Sequence, residues 1–156
     1  LITITGFTVA HSITLTLATL NVVRVPVPPV EAVIALSIVF LAREIASHRR
    51  DTLTWRYPIA VSAIFGLLHG FGFASALSDI GLPQTEIPAA LFAFNVGVEI
   101  GQIAFVAAAL AFVWVMTKML NLFTPIDWAR KLEKPIAYSV GGVTMLWTIE
   151  RVSLCL

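Results

Sequence analysis

The chain has 156 residues, of which 58% are hydrophobic and only 12% are charged, and its formal net charge is +1. Water-soluble domains usually carry about 25% charged residues, so this composition predicts an integral membrane protein surrounded by lipid. The small and scattered net charge argues against a nucleic-acid partner. The single cysteine, Cys155, excludes an internal disulfide.

Five apolar stretches are long enough to be membrane helices, since about 20 residues span the hydrocarbon core. We predict an all-α polytopic bundle with helices at residues 1–22, 30–47, 57–80, 88–120 and 135–154. The proline-rich VPVPP at 25–29 should separate the first two helices, because proline interrupts a helix. The fourth helix begins near Pro88 and is about 50 Å long at 1.5 Å per residue, so it must tilt, bend or project into water.

The connections rich in Lys and Arg should face the cytoplasm. They are the loops 48–56 and 121–134 with their flanks, which contain Arg43, Arg49, Arg50, Arg56, Lys118, Arg130, Lys131 and Lys134. The first helix then runs outward across a bacterial inner membrane, in a single helical domain that covers residues 1–156. Because residue 1 is Leu and no basic segment precedes the first apolar stretch, we expect the chain to be part of a longer one.

Ionisable side chains fall deep within three of the predicted helices. Counted along each helix, His11, His69 and Glu99 lie about 16, 18 and 16 Å from a helix end. An ionisable group in hydrocarbon costs a few kcal/mol, so each should face a partner or a cavity. Their similar depth predicts a polar site near the midplane. The simpler alternative is that each histidine only bonds a neighbouring backbone carbonyl.

Two stripes run along FNVGVEIGQ, residues 94–102. Asn95, Glu99 and Gln102 are spaced four and then three residues apart, so a helix presents them on one face. Gly97 and Gly101 form a bare stripe beside them, and glycines also surround His69, at positions 66, 70 and 72. Small residues allow helices to approach closely, which we expect to bring His69 and Glu99 together.

Two further acids, Glu31 and Glu44, lie about 20 Å apart at opposite ends of the second helix, so they cannot share one small site. Each is a candidate gate at one mouth of a pathway. The simpler explanations are that Glu31 stabilises the helix dipole in the first turn and that Glu44 pairs with Arg43 at a solvated helix end.

Imidazole, carboxylate and amide oxygen together suit a borderline divalent ion such as nickel, cobalt or zinc. The predicted cluster has no thiolate or thioether, which argues against copper(I) and iron–sulfur sites. The chain contains no HExxH or CxxC motif, so spacing alone is a weak signal. We expect the ion to be a substrate, and we predict no organic cofactor.

Four blocks of the sequence resemble the HupE/UreJ family of bacterial membrane proteins. They are FTVAHSITLTLATL (7–20), VEAVIALSIVFLAREI (30–45), FGLLHGFGFASAL (65–77) and FNVGVEIGQ (94–102). The family is associated with nickel or cobalt uptake, so the resemblance implies a small helical permease. It places seven candidate metal ligands at the family's polar motif positions, namely His11, Glu31, Glu44, His69, Asn95, Glu99 and Gln102. Family members usually carry a preceding helix with a His and an Asp-His pair, which we expect upstream of residue 1.

Three functions remain open from the sequence. The first is a permease or secondary transporter for Ni²⁺ or Co²⁺, not an enzyme, with the ion arriving past Glu31 or the acidic loop that holds Asp79 and Glu86. The second is an intramembrane zinc hydrolase with Glu99 as general base. The third is a non-catalytic subunit of a larger membrane complex, in which the polar stripe binds a partner helix or the two histidines ligate haem. Lipid is the expected surrounding, with partner membrane subunits or a second copy of the chain as further partners.

Overall fold

The computed structural model describes residues 1–47, 49, 51–79, 83, 85–121 and 128–155. Within these ranges the chain is helical and contains no strand, which confirms the all-α prediction. The helices are α1 (Ile2–Thr19), α2 (Val27–Ser47), α3 (Leu53–Arg56), α4 (Pro58–Asp79), α5 (Ile87–Asn121) and α6 (Trp128–Ser153). Each of the five predicted apolar stretches therefore contains one long helix, and the short α3 was not predicted.

Two helix boundaries near prolines differ from the prediction. Helix α2 begins at Val27, so Pro28 and Pro29 lie in its first turn and not in a preceding loop. Proline is tolerated there because the first N–H groups of a helix have no partner within the helix. Glu31 consequently lies in the second turn. Helix α6 begins at Trp128 and carries Pro135 inside it.

Two helices of the described chain are long and apolar enough to cross a membrane, fewer than the five that we predicted. They are Ile2–Thr19 and Ile87–Leu120, and a shorter apolar helical segment covers Pro58–Ala74. Charged residues interrupt the apolar sequence of α2 and α6. In α2 they are Glu31, Arg43 and Glu44, and in α6 they lie at both ends. None of the apolar window of α5 is buried, so α5 is not the core helix of a globular domain.

The long helices pack in the order α5, α1, α4, α2 and α6, with a small additional contact between α5 and α6. The most extensive contact joins α1 to α4, and the second joins α2 to α6. The described apolar core, Leu15, Ala74, Leu77, Ile87 and Leu91, lies where α1, α4 and the start of α5 meet.

Helix direction alternates along the chain. Thr3 contacts Ser62 and Thr14 contacts Leu67, so α1 and α4 are parallel. Phe40 packs on Phe65 while Ile34 lies against Gly72, so α2 opposes α4. Leu15 packs with Leu91 and Thr5 bonds Glu99, so α1 and α5 are antiparallel. Glu31 pairs with Arg151 and Ala42 lies against Gly141, so α2 and α6 are antiparallel as well.

This alternation brings the two Lys- and Arg-rich connections to one end of the bundle, as predicted. We call it the basic end; it is formed by the C-terminal ends of α2 and α5 and the N-terminal ends of α4 and α6. Its described basic residues are Arg43, Arg49, Arg56, Lys118, Arg130, Lys131 and Lys134. His48 and Arg50, residues 80–82 and 84 of the acidic loop, and 122–127 lie outside the described residues, as does the Asp79 side chain.

Glycines allow the backbones of α1 and α4 to touch. A Cβ at Gly66 would overlap the carbonyl oxygen of Phe7, and one at Gly70 would overlap that of His11 and the hydroxyl of Thr14. Thr14 Oγ1 also donates a hydrogen bond to Leu67 O at 2.7 Å across this contact. Close approach is therefore confirmed for these two glycines. The same expectation is wrong for Gly97 and Gly101, because no atom lies within 4 Å of a Cβ at either position.

A Gly70→Ala substitution should destabilise the bundle, because the added methyl group would force α1 away from α4. Overpacking typically costs about 1–3 kcal/mol, and we expect a lower thermal midpoint in detergent, followed by circular dichroism. Gly101→Ala is the matched control, since the same methyl group enters open space. Equal midpoints for the two variants would contradict the close contact.

Candidate functional site

His11 lies at the contact of α1, α4 and α5 and is almost completely buried, with 1% of its surface exposed. Its ring stacks on Phe7 and Phe94 at centroid distances of 5.8 and 6.1 Å, and the edge of Phe73 lies at 5.6 Å. Neither ring nitrogen has a hydrogen-bond partner among the residues that the structure describes. The imidazole is thus a polar group enclosed by three phenyl rings, one from each helix.

His69 lies beside this aromatic cluster on α4. Its Nδ1 is 2.7 Å from the carbonyl oxygen of Phe65, one helical turn earlier. A carbonyl only accepts, so Nδ1 carries the proton and the neutral ring keeps a free lone pair on Nε2. The Phe7 ring contacts His69 at 5.3 Å as well as His11, which places the two imidazoles at one level of the bundle.

Glu99 and Gln102 meet α1 nearer the basic end. Thr5 Oγ1 donates a hydrogen bond to Glu99 Oε1 at 2.9 Å. Thr5 precedes His11 by six residues, so this carboxylate lies roughly 9 Å along α1 from the imidazole level. The antiparallel register of α1 and α5 sets this offset, which counting depth along single helices did not predict.

The Gln102 side chain contacts Thr8, whose hydroxyl lies 3.4 Å from Oε1 and 3.2 Å from the carbonyl oxygen of Ile4. One hydroxyl hydrogen cannot serve both acceptors. The network is satisfied when the Gln102 amide is reversed, so that its NH₂ group donates to Thr8 while Thr8 donates to Ile4.

Asn95 follows Phe94 on α5 and presents an unused acceptor. Its Nδ2 donates to the carbonyl oxygen of Leu91 at 2.8 Å, whereas its Oδ1 is buried without a partner. The neighbouring Phe94 ring stacks on His11, so Asn95 belongs to the level of the imidazoles. It differs from Glu99 and Gln102 in making no hydrogen bond to α1 within the described residues.

The two remaining acids occupy opposite ends of α2 and differ in their pairing. Glu31 Oε2 lies 3.2 Å from Arg151 Nη1, and less than a third of either side chain is exposed. Glu31 is therefore engaged in an ion pair with α6 and is not a first-turn dipole partner. Glu44 is buried, with 9% exposed, and its Oε2 has no hydrogen-bond partner.

The seven sequence-predicted residues thus divide among four places. His11, His69 and Asn95 share the aromatic level, Glu99 and Gln102 meet threonines of α1, and Glu31 and Glu44 lie at the two ends. Within the described chain, no three His, Cys, Asp or Glu side chains are grouped closely enough to hold one metal ion. The individual ligand roles remain predictions.

The side chains that surround these residues were not predicted from the sequence. Phe7, Phe73 and Phe94 enclose His11, although phenylalanines in a membrane helix are ordinarily interpreted as packing residues. The i to i+4 spacing of Phe7 and His11 was the available signal. The hydroxyls of Thr8 and Ser12 donate to carbonyl groups of their own helix.

A model of the HupE / UreJ protein family matches residues 1–151. The chain belongs to the HupE/UreJ family. This family is associated with nickel or cobalt transport or an accessory function, and not with catalysis. Together with the apolar α1 and α5, membership indicates a membrane protein. No curated protein and no solved structure matches the chain.

The sequence blocks that resemble the HupE/UreJ family coincide with the packed centre of the bundle. Block 7–20 lies in α1, block 65–77 in α4 and block 94–102 in α5, the three helices that contribute to the surroundings of His11. Block 30–45 lies in α2 and contains both Glu31 and Glu44. The family likeness and the unusual polar groups therefore fall on the same helices.

The tautomer of His69 is directly measurable. We expect ¹⁵N NMR of the imidazoles in lipid at neutral pH to show a protonated Nδ1 and an unprotonated Nε2, because Phe65 O can only accept. A Phe65→Ala variant keeps the carbonyl and serves as the control. An Nε2-protonated ring in the native protein would contradict the hydrogen bond.

The Glu31 and Arg151 pair should contribute to stability through its charges. Glu31→Arg and Arg151→Glu each place like charges about 3 Å apart, whereas the double variant restores opposite charges. We expect both single variants to melt earlier and the double variant to recover, with a coupling of about 1 kcal/mol. Additive losses in the double variant would show that the pair is not coupled.

Proposed function

We propose that this protein is a permease that carries a divalent transition-metal ion, Ni²⁺ or Co²⁺, across a bacterial inner membrane. The observation that carries the proposal is the buried His11, whose two ring nitrogens have no partner in the centre of the helix bundle. Family membership supports the choice of ion.

Burying His11 without a hydrogen-bond partner lowers the stability of the folded protein, so stability does not explain its presence. A buried polar group without a hydrogen bond costs about 1–3 kcal/mol, and a phenyl ring of similar shape would avoid that cost among Phe7, Phe73 and Phe94. A cation that accepts the lone pair of an imidazole nitrogen would offset it. The faces of Phe7 and Phe94, on which the imidazole stacks, also attract a positive charge.

The donors at this level suit a transported ion. They are a His11 nitrogen, Nε2 of His69 and Oδ1 of Asn95, a mixture of imidazole and oxygen that nickel and cobalt accept. Three protein ligands leave positions for water, so the ion is not enclosed in a permanent cage. Glu99 and Gln102 would act from one and a half turns away, where Thr5 and Thr8 orient them.

The proposal includes five membrane crossings, which the alternating helix directions support. The basic end faces the cytoplasm by the positive-inside rule. The charges that interrupt α2 lie near its ends, where Glu31 pairs with Arg151 and where Arg43 and Glu44 belong to the basic end. Helix α5, about 52 Å long at 1.5 Å per residue, crosses the bilayer and extends beyond it.

The membrane potential can supply the driving force. The sequence contains no nucleotide-binding loop, so the permease would use an ion gradient or the potential itself. A doubly charged cation entering an interior-negative cell gains about 4.6 kcal/mol per 100 mV. Transport would require no covalent chemistry.

The alternatives fit the geometry less well. A zinc hydrolase needs three firm ligands beside Glu99, whose carboxylate lies a turn and a half from the imidazoles. Haem ligated by both histidines would have to displace Phe7, which contacts both rings. An accessory subunit is the second candidate, because α5 exposes a long apolar surface that a partner helix would cover as well as lipid does.

The decisive test separates ligand loss from misfolding. His11→Phe keeps the aromatic packing and removes the unpaired nitrogens, so we expect a thermal midpoint at or above that of the native protein and no Co²⁺ or Ni²⁺ uptake into proteoliposomes. His69→Gln should lose uptake too. His48→Ala removes the third histidine of the chain and is the control. A stable His11→Phe protein with native uptake would refute the proposal.

A further inference from the structure

Two cavities lie between the imidazole level and the basic end. The first, about 330 Å³, is lined by α1, α2, α3 and α4 and reaches from His69 to Thr54 of α3. The second, about 660 Å³, lies among α2, α3 and α6 and is lined by Glu44, Arg130 and Glu133. Leu41 and Thr54 line both cavities, so the two adjoin. Together they lead from an imidazole to the end of the bundle.

The polar groups along this route differ in their hydrogen bonding. In the first cavity, Ser37 donates to the carbonyl of Ile34, and Ser62 donates to that of Thr3. Thr54 Oγ1, at the junction, is buried and has no partner. Glu44, in the second cavity, is 9% exposed and has a buried Oε2 without a partner. Unused oxygen lone pairs therefore occur at the junction and beyond it.

The second cavity is suited to a hydrated cation. Among the residues that the structure describes, its ionisable lining consists of two carboxylates, Glu44 and Glu133, and one guanidinium, Arg130, and the formal charge of these three groups is negative. Six water molecules occupy about 180 Å³ at ~30 Å³ each, and the cavity exceeds this volume severalfold. An ion that arrives from the imidazoles can regain its hydration shell there. Carboxylate and hydroxyl oxygens bind such an ion more weakly than imidazole does.

We propose that these adjoining cavities are the route by which a divalent cation leaves the imidazoles, with Thr54 at the junction of the two and Glu44 as the carboxylate that receives the hydrated ion. This inference rests on the proposed function and adds to it a second, oxygen-lined site and a direction of release. The opposite end of α2 offers no equivalent carboxylate, because Glu31 is engaged by Arg151.

Equilibrium binding of Co²⁺ to purified protein in lipid nanodiscs tests the receiving site without transport. The native protein should bind Co²⁺ at a tighter and a weaker class of sites. Glu44→Gln should weaken the second class at least about tenfold, as loss of a metal partner typically does, and leave the first unchanged. Glu150→Gln, at an exposed acid of α6 near the opposite end, is the matched control. Equal binding by the two variants would overturn the receiving site.

Thiol accessibility tests the route. Thr54→Cys, made together with Cys155→Ser, should react with a small cationic thiol reagent added from the basic end, and Co²⁺ should slow the reaction. Thr117→Cys on α5, also made with Cys155→Ser, should react at a rate that Co²⁺ does not change. Absence of Co²⁺ protection at Thr54 would overturn the route.

The two proposals fail differently. If native protein takes up Co²⁺ while Glu44→Gln binds and transports it as Glu150→Gln does, the permease stands and the release route falls. If native protein in proteoliposomes takes up neither ion, the permease falls and the release route falls with it. Uptake reduced in Glu44→Gln, together with protection at Thr54, supports both.

Discussion

The backbone contact between α1 and α4 determines where the functional side chains lie. Gly66 and Gly70 bring α4 against the carbonyl oxygens of Phe7 and His11, and any Cβ at either position would collide with α1. His69 lies between these two glycines in sequence and is thereby held beside Phe7. The two imidazoles share a level because the helices that carry them are parallel and cannot slide apart without breaking this contact.

Helix α5 completes the surroundings of His11 from the other side. Phe94 stacks on the imidazole, and Ile87 and Leu91 pack with Leu15 in the apolar core. That packing sets the register of α5 against α1 and consequently sends Glu99 toward Thr5. The arrangement excludes water from His11 without offering either ring nitrogen a partner, which is unfavourable for folding and favourable for binding a cation.

The sequence predicted the helices better than it predicted the site. Apolar length and charge located all five long helices and the basic end, because those features depend on composition along the chain. Counting residues from the helix ends predicted correctly that His11 and His69 lie at one level. It placed Glu99 at that level too, which is wrong, because the depth of a residue along one helix does not determine the register of that helix against another. The contact-making glycines of α4 and the contact-free Gly97 and Gly101 have the same spacing, and only packing distinguishes them.

Two acidic residues of the basic end differ in how their charge is satisfied. At the basic end, Arg49 makes two hydrogen bonds with Asp51 in the exposed connection, and these bonds lower the pKa of the Asp51 carboxyl. The pair keeps both groups ionised at neutral pH outside the bundle. Glu44, one helix turn before the end of α2, is instead buried with an unused oxygen. The exposed Asp51 is therefore satisfied by its ion pair with Arg49, whereas the buried Glu44 keeps an unused oxygen.

The described structure is closed toward the end opposite the basic end and has cavities toward the basic end. Leu15, Leu77 and Leu91 pack together beyond His11, whereas the cavities begin at His69 and continue past Thr54. A permease must also reach the reverse arrangement. The α1 to α4 contact is too close to shift, so movement costs least at the smaller contacts, between α1 and α5 and between α2 and α4. Movement at the first would separate Phe94 from His11 and open the imidazole to the opposite side.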